Sequence, residues 1–219
     1  MMQPEADDEE EPWEPVDMIE EPLVGQEVEK VVDDHQEENA TVVVPIRRVL
    51  SIDVGANHYA LCALSISNSS TPTIQALESW NLGNVQAVPA SRLVDRMMER
   101  FAKWSVLETF RPTHVLIEQQ MRGAHVNIAL GFATYSFLKV LFPQADTRFV
   151  RPLAKFATSQ TKPLLTNNPI PKGYQQRKRF TVRIAERVLM ECGLPSLCEM
   201  CPEVKKDDIA DAFLQALCP

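Results

Sequence analysis

The run Ile46-Arg-Arg-Val-Leu-Ser-Ile-Asp53-Val-Gly55 decides how the rest of the sequence is read. Its apolar residues form a short β-rich segment, and Gly55 supplies the residue that halts it. Asp53 ends the segment, where a carboxylate meets the edge of a hydrophobic layer and is costly to leave unpaired. Tyr59–Ile66 and Thr73–Trp80 are two further strand-like runs, bounded by Gly, Asn, Ser or Pro. Short connections between three such runs predict an antiparallel meander. The pattern then changes: Leu93, Val94, Met97, Met98, Phe101 and Trp104 fall on one helical face, with Ser91 as the expected N-cap. His114–Glu118 is a short apolar run suited to a buried strand. A helix from about Val126 to Phe142 follows, then a strand at Thr147–Arg151. Residues 152–172, with four prolines, predict a long functional loop. A basic helix over Tyr174–Cys192 and a short final helix over Asp207–Leu217 complete the chain. The order β-β-β-α-β-α-β-loop-α-α implies an α/β fold, a mixed sheet with helices on its faces.

The formal net charge of −8 over 219 residues conceals two unlike parts. Residues 1–40 carry sixteen acidic residues against the single Lys30, a net of −15, so residues 41–219 carry +7. The first part has too little apolar surface to offset its ordering entropy, and 1–45 is expected to be a disordered acidic tail ahead of a domain spanning 46–219. Such a tail serves either as a solvating segment or as a polyanion that competes with nucleic acid for a basic face. No stretch reaches the ~18 apolar residues a membrane span needs. The opening MMQPEADDEEEP has no basic leader, which argues against secretory or mitochondrial targeting. Five scattered cysteines do not make a disulfide framework, so an intracellular, reducing compartment is expected.

The acids of the body that do not sit on helix surfaces carry the chemistry. Asp53 and Glu118 each end an apolar strand, and parallel neighbours would bring both to one C-terminal sheet edge, where open α/β sheets place ligands. Lys205-Lys-Asp-Asp208-Ile-Ala-Asp211 opens the last helix, with Asp208 and Asp211 three apart on one face and Asp207 four from Asp211. Clustered carboxylates call for protons or a cation, and all-oxygen ligation suits Mg²⁺ or Mn²⁺. Two such ions about 3.5–4 Å apart can drive phosphodiester hydrolysis. Each acid also has a plainer use: Asp207 or Asp208 as a helix cap, Asp53 on the turn amides around Gly55. Taken together, two strand ends and a helix start point to metal.

Leu50-Ser-Ile-Asp53-Val-Gly55, Val115-Leu-Ile-Glu118-Gln-Gln120 and Lys205-Lys-Asp-Asp208-Ile-Ala-Asp211-Ala resemble the signatures of RuvC-like Holliday junction resolvases. The nearest likeness is to the branch of poxviruses and related large DNA viruses, itself similar to fungal mitochondrial resolvases. Arg151-Pro-Leu-Ala-Lys155-Phe and Tyr174-Gln-Gln-Arg-Lys-Arg179 fit the same branch. The resemblance spans about residues 46–219 and implies an RNase H-like fold with a mixed five-stranded sheet. It also implies a homodimer that cuts two strands of four-way junction DNA symmetrically with Mg²⁺, needing no small-molecule cofactor and no membrane. A viral member would work in the host-cell cytoplasm or the virion. On this likeness Asp53, Glu118, Asp208 and Asp211 match the catalytic metal ligands. Asp207 is a less certain fifth acid. Lys155, Arg177, Lys178 and Arg179, with Lys205 and Lys206, match positions expected to contact DNA phosphates. The helix bearing Gly131, Phe132, Tyr135, Phe137 and Leu138 reads as core, with a share of its surface matching the family's dimer interface.

Other readings remain. A transposase-type or RNA–DNA hybrid nuclease would use the same acids on another substrate. A non-catalytic junction binder would not need carboxylates facing phosphates. Ile52-Asp-Val-Gly55 also resembles the phosphate loop of actin-like ATPases, but such folds need two lobes and a second Gly-rich loop. Cys198-x-x-Cys201 lacks regularly spaced partners for zinc and reads as ordinary loop or buried cysteines. His58, His114 and His125 show no triad spacing; His114 reads as core and His125 as a residue that could approach DNA.

Overall fold

A computed structural model describes residues 46–67, 71–166 and 168–219; the acidic tail lies outside the described residues. Three strands open the fold: β1 (Arg47–Asp53), β2 (Tyr59–Ile66) and β3 (Thr73–Trp80). They pair antiparallel in sequence, as the meander requires. Helix α1 (Ala90–Lys103) and the single turn α2 (Val106–Thr109) lead to β4 (His114–Glu118), which returns parallel to β1. Helix α3 (His125–Leu141) then crosses to β5 (Asp146–Val150), parallel to β4. The five-stranded sheet has the order β3-β2-β1-β4-β5.

The chain after β5 is less open than a plain loop. A 3₁₀ turn (Ala154–Phe156) and the short helix α4 (Lys162–Leu165) break up the Pro-rich stretch. Helix α5 (Tyr174–Glu191), the turn α6 (Leu197–Met200) and α7 (Lys206–Ala216) follow. Neither expected side-chain cap forms. Pro89, not Ser91, precedes α1, and Lys205, not Asp207 or Asp208, precedes α7. The two acids are thereby left free for other partners.

Side-chain alternation splits the core in two. Leu50, Ile52, Leu61, Val115 and Ile117 face α1 and α3, where Tyr59, Trp80, Phe101 and Trp104 form an aromatic cluster. Val49, Cys62, Leu64 and Leu116 face the other way, onto α5 and α7. β1 and β4 are thus covered on both sides, which is why their sequences read as continuous apolar runs. Eight of the eleven residues of α7 are buried, so this helix is clamped over the sheet from end to end. No helix among the described residues is long and apolar enough to cross a membrane.

Candidate active site

Asp53 and Glu118 come together because of register. Ile52 pairs with Ile117 across the parallel β1–β4 ladder, so the next residues, Asp53 and Glu118, end the two strands side by side. Alternation turns both toward the face that α7 covers, the face of Val49 and Leu116 rather than of Ile52 and Ile117. Gly55 makes the turn after Asp53 possible: a Cβ there would stand 2.9 Å from the His58 carbonyl oxygen. That tight turn carries His58 back until its Nδ1 lies 3.8 Å from Asp208 Oδ2.

Asp211 completes the inner group. Its Oδ1 lies 2.6 Å from Lys155 Nζ, and the same ammonium is 4.0 Å from Glu118 Oε1. Among the described residues the Lys155 ammonium is the one cation against Asp211 Oδ1, a buried oxygen. Burial pushes the Asp53 carboxyl well above the usual carboxylate range, and Glu118 and then Asp211 push it further. Burial also raises Asp211; Lys155 pulls it down without cancelling the rise, and Glu118 adds to it. Burial alone would depress Lys155, but Glu118 and Asp211 outweigh it and hold the ammonium above its ordinary range. One ammonium among three carboxylates is too little positive charge: fully ionised, the group is net negative in a low-dielectric setting.

The outer group is better neutralised. Lys178 of α5 donates to Asp207 Oδ2 and stands 3.4 Å from Asp208 Oδ1. Lys205 reaches Asp207 Oδ2 at 3.2 Å and Asp208 Oδ2 at 3.0 Å. Burial works against the ionised form of Asp207, but the two lysines outweigh it and keep that carboxyl below its ordinary range. Lys178 is held correspondingly high: burial lowers it, and Asp207 and Asp208 more than compensate.

The sequence-predicted residues therefore fall into distinct places. Asp53, Glu118 and Asp211 form one group, and Asp208 joins Asp207 beside it. Lys155, expected on DNA phosphates, is instead buried to 7% exposure among the acids. Lys178 likewise turns inward, while Arg179 is exposed and Arg177 folds back to donate to the Lys172 carbonyl. Lys205 is exposed but engaged with the acids, and Lys206 donates to Cys198 Sγ at 2.7 Å. Cys201 is buried with its thiol on the Leu77 carbonyl, and none of the five cysteines is paired. Sequence reasoning missed His58 and Gln215, whose side-chain amide lies under the acids.

An ion is tested by the donor set. Among the described residues no three of the His, Cys, Asp and Glu side chains converge closely enough to hold one as they stand. Yet the inner group is all carboxylate oxygen and short of positive charge, which suits a hard divalent cation.

Solved structures of junction resolvases share this architecture. The yeast mitochondrial Holliday junction resolvase Ydc2 matches with a TM-score of 0.55 and 17% identity over 80% of each chain. Thermus thermophilus RuvC matches at 0.52 and 20% identity, covering 78% of this chain and 91% of its own. The T. thermophilus RuvC in complex with Holliday junction substrate matches at 0.51 and 20% identity, over 78% and 90%. At such identities the likeness is one of fold, and it defines an RNase H-like domain of the RuvC type. Curated protein sequences give no match. The model of the poxvirus A22 protein family matches residues 47–218, and the chain belongs to that family, a Holliday junction resolvase family. It is accordingly an endonuclease that cleaves DNA junctions.

Proposed function

We propose that this endonuclease resolves four-way junctions in recombining or replicating DNA by Mg²⁺-dependent phosphodiester hydrolysis, cutting two strands symmetrically as a homodimer. The observation that carries the reading is the meeting of Asp53, Glu118 and Asp211 at one sheet edge around a single ammonium. Asp53, Glu118, Asp208 and Asp211 would hold the ions, with Mn²⁺ able to substitute. Bound there, two divalent cations would supply Lewis acidity to the scissile phosphate and acidify an attacking water.

The chain's own residues do the rest. The ends of β1 and β4 fix Asp53 and Glu118 on rigid elements, and the buried α7 holds Asp211 with them and Asp208 three residues before it on the same side of the helix. Lys155 keeps the inner carboxylates together without a cation. Lys178 and Lys205 perform the same service for Asp207 and Asp208. Exposed Arg179 near the start of α5 offers positive charge to the DNA backbone, and Arg177, Lys205 and Lys206 would add to it, a contact that is sequence-independent and salt-sensitive. The dimer is assigned to α3, which is apolar on both sides: Leu130 and Leu138 face the core while Phe132, Val140 and Leu141 stand exposed.

The test is cleavage of a labelled immobile four-way junction in Mg²⁺, beside a linear duplex and an RNA–DNA hybrid, by the wild type and Asp53→Asn. Paired symmetric nicks on the junction alone, lost in the variant, are expected. Hybrid cleavage would move the substrate, and tight junction binding without cutting in Mg²⁺ or Mn²⁺ would remove the catalytic assignment.

A further inference from the structure

Asp208, Asp211 and Gln215 lie at i, i+3 and i+7 of α7, so they share one side of the helix. That side faces the sheet: Gln215 is 3% exposed. A primary amide there loses its water and must find partners in the protein. Gln215 Nε2 donates to the Ile52 carbonyl at 3.2 Å and to the Leu116 carbonyl at 2.9 Å. Both acceptors are backbone oxygens with no proton to give, so the NH₂ end must be the one that faces them. The two carbonyls belong to different strands. Ile52 immediately precedes Asp53 on β1, and Leu116 lies two residues before Glu118 on β4.

One side chain therefore spans the parallel seam whose two strands end in Asp53 and Glu118, and ties it to the helix that carries the remaining acids. We propose that Gln215 is a positioning residue: its amide fixes the spacing of Asp53 and Glu118 relative to Asp211, and with it the ion-binding geometry of the inner group. The proposal rests on reading those carboxylates as cation ligands. The surroundings give Gln215 this task because nothing else in the inner group can do it. Lys155 attracts Glu118 and Asp211 by charge, which draws carboxylates inward but does not set which strand stands where. The main-chain ladder fixes the two strands against each other, and two directional hydrogen bonds from one planar NH₂ to that main chain fix where α7, and with it Asp211, stands on them. The buried Ser51 hydroxyl, one residue before Ile52, has no hydrogen-bond partner of its own and so cannot stand in.

The experiment compares wild type, Gln215→Met and Gln215→Glu. Methionine keeps the length and volume and deletes both donors; glutamate keeps the shape and aims a carboxylate at two carbonyls. Three readouts separate positioning from packing. The first is the ¹³C chemical shift of the Ile52 and Leu116 carbonyls without metal, which should move in Gln215→Met as the amide donors leave. The second is Mn²⁺ affinity by calorimetry, which should weaken about ten- to hundred-fold, the usual size for groups that orient ligands from behind. The third is junction cleavage at saturating DNA, where kcat should fall in the same range while KM for the junction stays put. Gln215→Glu should be worse than Gln215→Met in the last two. A folded Gln215→Met with unmoved carbonyl shifts, or with wild-type Mn²⁺ affinity and kcat, would overturn the proposal and leave Gln215 as packing. Should the wild type itself neither bind Mn²⁺ nor cleave, the cation reading falls, and the positioning role falls with it, while shifted carbonyl resonances would still record the two hydrogen bonds. The two failures are thus told apart by the wild-type arm.

Discussion

Replacing Lys155 by methionine removes the ammonium 2.6 Å from Asp211 and 4.0 Å from Glu118 while nearly keeping the volume of the stem. Lys155 is 7% exposed, so water cannot take over its charge. Removing one partner of a buried ion pair costs about 3–5 kcal/mol because the other is left uncompensated. A domain of this size shifts its melting temperature by about 2–4 °C per kcal/mol, so a fall of roughly 6–20 °C is expected in EDTA near pH 7.5. The sign with pH follows from the raised pKa of the lysine. A cation held above its unfolded value of 10.5 contributes in full below that value and loses the contribution only as pH climbs through the folded one. Wild type thus keeps it at neutral pH. In the variant the deficit should shrink toward mildly acid pH, as the orphaned Asp211 takes up a proton. Saturating Mg²⁺ should restore part of the loss, about 2.7 kcal/mol at a hundredfold excess over Kd. The assay is thermal and urea unfolding with and without Mg²⁺. A melting point within about 2 °C of wild type in EDTA would refute the view that this ammonium holds the carboxylates together.

Asp53→Asn should abolish most junction cleavage, as expected when one ligand to catalytic ions is lost, and wild-type cutting by the variant would remove Asp53 from the site. The same variant should melt higher than wild type in EDTA, since a buried carboxylate repelled by Glu118 and Asp211 is gone; an unchanged melting point would show that the repulsion is absent. Wild type without metal should itself gain stability as pH falls from alkaline toward mildly acid values. Asp53 and Asp211 titrate above their unfolded values, so their folded forms bind protons more readily and the stabilising contribution is lost as pH rises through those values. Mg²⁺ should flatten this dependence, and a curve unmoved by Mg²⁺ would count against cation binding there. Val140→Glu, at a side chain 83% exposed on α3, should shift the protein to a monomer in light scattering and abolish paired nicking; a dimer of unchanged affinity would place the interface elsewhere.

The strands of the sheet were legible because β1 and β4 are buried on both faces and therefore written as unbroken apolar runs, each closed by an acid. Their parallel pairing was only a condition in the sequence, and the register Ile52 to Ile117 then follows from matching strand ends. The Pro-rich stretch after β5 was less readable. Its 3₁₀ turn at Ala154–Phe156 is too short to show a period, yet it is what turns Lys155 inward. A lysine in a basic domain reads as surface charge until its neighbours are known, and those neighbours come from β4 and α7, far away in sequence.

Two other placements could have been read by counting. The buried stripe of α5 runs through Phe180, Thr181, Ile184, Ala185 and Val188. Stepping back by three, four and seven lands on residues 177 and 178, both half-buried, and passes over the exposed Arg179. Lys178 was therefore the member of the basic triplet most able to meet acids on a packed helix, and Arg179 the one left to solvent. In α7, a glutamine within Phe213-Leu-Gln-Ala216 is a polar group on a helix with almost no exposed side. Such a residue is either an expensive mistake or a donor with acceptors waiting. Its seven-residue spacing from Asp208 says which face the acceptors occupy, and on the face that meets Asp53 and Glu118 they are the strand carbonyls of Ile52 and Leu116. The order of contributions at this site follows from that geometry. Strand register sets the pair, the amide of Gln215 sets the gap, and the lysines supply only charge, which a bound cation can replace.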